Sequence, residues 1–113
     1  MIEIAKWKKM SLAQQLGNIG SEVARACSAA EQGNQERRNL SLARALELAQ
    51  LTLANESNQW RRSELQNLYE ALLSIYNDEA PNITLSNIQD YCLPFALLTR
   101  KLYELDSSFQ KTK

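Results

Sequence analysis

Residues Ser11–Glu31 carry three stripes of different chemistry, and they limit this segment to one kind of structure. Leu12, Leu16, Ile19, Val23, Ala26 and Ala30 recur at alternating spacings of four and three. That spacing puts them on one face of an α-helix. One position behind this seam run Gln15, Asn18, Glu22 and Arg25, all polar. One position ahead run Ala13, Gly17, Gly20 and Ala24, all small, and Ser28 continues that ridge four residues on. Each residue turns about 100° around the axis, so the polar and small stripes flank the seam on opposite sides. A helix shaped on three sides is expected to have neighbours on more than one.

The rest of the chain reads the same way. Ser11 with Gln14 three residues later is a capping-box signal for the first helix. Gly33-Asn34 suits a left-handed stop. A second helix is expected from about Glu36 to Ala54. Leu42, Leu46, Ala49 and Leu53 form its seam, widened by Ala45, Leu48 and Leu51. Asn55-Glu56-Ser57-Asn58 prefers caps and turns and breaks it. A third helix follows over Gln59–Tyr76, with Leu65, Leu68, Leu72 and Ile75 inward. After the loop 77–82, Thr84 or Ser86 caps a fourth helix beginning near Leu85 or Asn87. Its seam is Ile88, Tyr91, Phe95, Leu98, Leu102 and Leu105, and Pro94 is expected to kink or restart it. Residues 107–113 are expected to fray. No period-two alternation competes, so no strands are assigned.

The 113 residues suit a single domain over 1–113. Short connections favour an all-α, antiparallel up-down four-helix bundle. The fallback is a three-helix bundle with a C-terminal arm kinked at Pro94.

Composition narrows the function. The net charge is zero, so no overall field draws the chain to nucleic acid or an anionic membrane. Histidine is absent, which removes the commonest general base and transition-metal ligand. Cys27 and Cys92 cannot build a tetrahedral zinc site alone. No apolar run approaches the ~20 residues of a membrane span, and the first residues lack a signal peptide's apolar core. A cytoplasmic protein without metal or cofactor is the expectation, and the thiols are expected to be reduced and buried.

Three constellations remain. The small ridge of Ala13, Gly17, Gly20, Ala24 and Ser28 invites close approach of another backbone. Each glycine costs about 1 kcal/mol against alanine inside a helix. That approach is either packing on the last helix or contact with a second chain. Glu22, Arg25, Arg44 and Glu47 fall at similar height across the first hairpin and are expected to form an ion network. Such a network sets register and contributes little net stability. Without His, Lys or metal it is poorly equipped for hydrolase or nuclease chemistry. Trp7, Lys8, Lys9, Trp60, Arg61 and Arg62 gather at one end of the bundle, together with Lys6 and the C-terminal basic residues Arg100, Lys101, Lys111 and Lys113. This basic pole either solvates the bundle end over packed tryptophans or contacts RNA phosphates and stacks bases.

Trp7-Lys8-Lys9-Met10-Ser11-Leu12, Gln15-Leu16, Asn18-Ile19-Gly20-Ser21-Glu22-Val23 and Arg25-Ala26 resemble the opening of a family of small prokaryotic all-helical proteins without an assigned activity. Arg44-Ala45-Leu46-Glu47-Leu48 resembles that family's second block. The resemblance covers roughly the first half of the chain. Sparse aromatics before Phe95, and Pro94 itself, depart from the pattern. It implies a bacterial or archaeal cytosolic protein and no activity. Small helical nucleases of toxin–antitoxin systems often use an Arg…His motif, which a chain without histidine cannot supply. The leading expectation is therefore a non-enzymatic bundle acting through self-association or a protein partner. RNA binding at the basic pole is the alternative.

Overall fold

The computed structural model describes residues 4–79 and 84–92, and every regular element among them is helical. Helix α1 is Ile4–Lys8, α2 Leu12–Glu31, α3 Gln35–Asn55 and α4 Gln59–Tyr76. A fifth, α5, is described over 85–92. Helices α2, α4 and α5 start at caps the sequence offers, and α3 starts at Asn34, read in the sequence only as the stop of α2. Ser11 Oγ accepts from the Gln14 amide while Gln14 Oε1 accepts from the Ser11 amide, completing the capping box of α2. Asn34 and Asn58 side chains accept from the Arg37 and Arg61 amides at α3 and α4. Thr84 and Asn87 exchange the same pair of bonds at α5. The first turns thus have acceptors for orphan amides.

Helix α2 ends in a Schellman turn. Gly33 takes φ +72°, its N–H donates to Ala30 O, and Asn34 N–H donates to Ala29 O. Helix α4 ends likewise, with Asp78 in the left-handed region at φ 54°. Arg38 of α3 reaches across to that end and donates to Ile75 O at 3.1 Å, so α3 and α4 run antiparallel.

Helix α3 packs on α2 on one side and α4 on the other. One continuous core joins all five helices. Leu16, Ile19, Val23 and Ala26 come from α2, and Leu42, Ala45, Leu48 and Ala49 from α3. Leu65, Leu68, Leu72 and Ile75 come from α4, with Ile88 and Cys92 from α5. The small ridge supplies the contact with α5. A Cβ added at Gly20 would lie 2.7 Å from Cys92 Cβ, so only a glycine admits α5 at this distance.

Four details differ from the sequence reading. Ala30 is exposed and Ala29 is buried in its place. Near the hairpin α3 is the neighbour that covers α2, and burial there takes in Glu22, which lies close to Arg44, and Ala29, which lines the groove between the two helices. Leu46 and Leu53 are only half-buried, and Thr52 is buried in the seam of α3. Tyr91 is exposed at the rim rather than inward. Helix α1 was not expected: Trp7 is buried at 2% exposure, its indole N–H donating to Thr52 Oγ1 at 3.2 Å, while Gln15 Nε2 donates to Trp7 O at 2.8 Å. Phe95, Leu98, Leu102, Leu105 and the expected kink at Pro94 lie outside the described residues. No helix among the described residues is long and apolar enough to cross a membrane.

Candidate functional site

The polar stripe of α2 splits when α3 packs against it. Glu22 turns inward, its side chain 12% exposed, and pairs with Arg25 one turn later. Glu22 Oε2 lies 4.0 Å from Arg44 Nη1 on α3, so the two helices meet at the expected height. That oxygen is buried and accepts no hydrogen bond. Arg25 and Arg44 keep side chains 62% exposed beyond the carboxylate. Glu47 does not join them: it is exposed and forms no ion pair among the described residues.

These guanidinium groups open onto a groove of about 530 Å³ between α2 and α3. Arg25, Ser28, Ala29 and Gln32 line one wall, and Arg37, Leu40, Ser41 and Arg44 the other. Each wall repeats the spacing i, i+3, i+4, i+7, the signature of a single helix face. The groove has a steric cause. Ser28, Ala29 and Ser41 are small where the helices would otherwise interdigitate, while arginines stand as posts around the trough. Leu40 is 54% exposed at its lip, an apolar side chain beside three cations. Arg37 and Leu40 were not singled out in the sequence. Their signal is faint: a charge and a leucine on a helix whose other faces also carry both.

The small ridge is divided between roles. Gly17 is buried, Ala13 and Ala24 are half-buried, Gly20 receives Cys92, and Ser28 lines the groove. At Gly20 the close neighbour belongs to the same chain.

The basic pole is also divided. Trp7 is a core residue and presents no ring to a ligand. Arg62 donates to Leu53 O and Glu56 O, each at 2.9 Å, and so caps the end of α3. Lys8, Lys9, Trp60 and Arg61 remain exposed, Trp60 at 73%. Arg100, Lys101, Lys111 and Lys113 lie outside the described residues.

Nucleophiles are poorly set. Burial pushes the Cys92 thiol up to about 11. Desolvation, then the charges of Glu31 and Asp90, raise Cys27. Both shifts oppose the thiolate that reactive cysteines need. No cluster of three or more Cys, Asp or Glu suited to a metal ion occurs among the described residues. A smaller groove of about 230 Å³ between α4 and α5, lined by Leu68, Ala71, Ile88 and Tyr91 among others, is mainly apolar. No family model, curated protein or solved structure matches this chain.

Proposed function

We propose that this chain is a non-enzymatic helical protein, cytoplasmic and prokaryotic, that acts by binding another protein through the α2–α3 groove. In this reading α2 to α5 form an antiparallel up-down four-helix bundle. The end of α4 tied to Arg38 and the seating of Cys92 on Gly20 support that arrangement. One observation carries the function: three arginines and an exposed leucine converge on one groove between α2 and α3. Arginine is enriched at contact hot spots, and three of them border this groove.

Native mass measurement of the protein purified from its own cell tests the proposal. The expected result is a complex heavier than one chain that is lost in the R37Q/R44Q double variant while helicity is kept. A lone monomer, or a complex indifferent to both substitutions, overturns it. RNA binding is the second reading and rests on Trp60, exposed beside Arg61. It predicts nucleic acid in the purified complex and its loss in W60A.

A further inference from the structure

We infer that the α2–α3 groove recognises carboxylates, and that its partner is an acidic peptide segment carrying an apolar residue beside its Asp or Glu side chains. This deepens the proposed protein contact and rests on it. Glu22 is the internal precedent: its carboxylate already sits against Arg25 and close to Arg44. It satisfies only part of them. A guanidinium has five N–H donors, arranged to grip carboxylates in pairs. Arg25 spends Nη1 on Glu22, Arg44 makes no hydrogen bond to it at 4.0 Å, and Arg37 forms no ion pair among the described residues. Three cations against one carboxylate leave the groove an excess of two positive charges. Glu36 and Glu47, next to these arginines on α3, neither line the groove nor pair with them.

Geometry sets the spacing of the ligand. Arg37 and Arg44 are seven residues apart on one helix, about 10 Å along its axis. Carboxylates two turns apart on one face of a helix span the same distance. The volume of about 530 Å³ falls in the range of clefts that take a drug-sized ligand, room for a few side chains of a segment. Ala29 and Leu40 give an apolar neighbour somewhere to rest. Among the described residues no aromatic ring lines the groove to give the stacking platform that single-stranded RNA uses.

The test titrates the full chain with hexaglutamate while NMR follows the arginine Nε–H signals and the backbone amides. Hexalysine, inorganic phosphate and decauridylate are titrated in parallel. The expected result is saturable shifts at Arg25, Arg37, Arg44, Ser28 and Leu40 with hexaglutamate. Affinity should fall about tenfold in R44Q, further in R37Q/R44Q, and steeply from low to physiological salt. Shifts confined to exposed lysines, unchanged affinity in R37Q/R44Q, or equally tight phosphate or decauridylate in the groove overturn the inference. The two claims fail separately. A native complex lost in R37Q/R44Q without hexaglutamate binding defeats the acidic ligand alone. Hexaglutamate binding without a native complex defeats the protein-contact function alone.

Discussion

Replacing Gly20 by alanine tests whether the small ridge of α2 is occupied by the chain's own last described helix. In an open helix the substitution stabilises by about 1 kcal/mol, because alanine restricts the unfolded chain and favours the helix. Here the new Cβ would lie 2.7 Å from Cys92 Cβ, with the Cys92 carbonyl carbon and Cα at 3.7 and 3.8 Å. Carbon atoms rest about 3.5–4.0 Å apart. The deficit is about 1 Å, and Cys92 Cβ is fixed to its backbone, so no rotamer change relieves it. Helix α5 has to move, which at overpacked positions costs about 1–3 kcal/mol. Subtracting the helix gain leaves G20A about 0–2 kcal/mol less stable than the parent. Urea unfolding followed by far-UV circular dichroism measures this. A double-mutant cycle isolates the cause. C92G removes the opposing Cβ and should couple to G20A by about 1–2 kcal/mol, whereas C92A keeps that Cβ and should couple weakly. A G20A protein about 1 kcal/mol more stable than the parent, with no coupling to C92G, refutes the reasoning. The ridge would then stand open, as a contact with a second chain requires.

Thr52→Val, nearly isosteric, leaves the buried Trp7 indole N–H without its acceptor and should cost about 1–3 kcal/mol in urea unfolding; a neutral result means that Trp7 is not held there. Ser11→Ala removes the Oγ that accepts from the Gln14 amide, one side of the α2 capping box, and should cost about 1 kcal/mol, most visibly as faster hydrogen exchange in the first turn; unchanged exchange would count against it. The Cys92 thiol stays neutral in the folded protein up to about 11, whereas in the unfolded chain it ionises from its ordinary 9.0. Above that ordinary value the unfolded state binds fewer protons, so stability should fall as pH rises from 9.0 to about 11, with part of the slope removed in C92A; a flat profile contradicts the burial.

What the sequence discloses follows from how local each determinant is. Ser11, Asn58 and Thr84 act on amides three residues away, so the starts of α2, α4 and α5 are written in a few adjacent letters. Leu65, Leu68, Leu72 and Ile75 are legible as core because their spacing and their burial obey one helical period. Trp7 and Thr52 are illegible for the opposite reason. Helix α1 is five residues long, too short to show a period, and lysines on both sides of Trp7 suggest a surface. Thr52 is polar, and in the core its hydroxyl donates to Leu48 O and accepts the N–H of Trp7, a residue distant in sequence. The candidate site is half legible on the same grounds. Glu22 and Arg44 follow from hairpin arithmetic, since antiparallel helices joined by a short turn must pair residues of equal height. Arg37 and Leu40 acquire meaning only from an absence of bulk at Ser28, Ala29 and Ser41 across two helices. A missing side chain leaves no periodic mark. A groove is a property of two faces at once, and its charge depends on which carboxylates turn inward. Burial of Glu22 is part of that balance: it pairs with Arg25, lies 4.0 Å from Arg44, and leaves both arginine side chains 62% exposed.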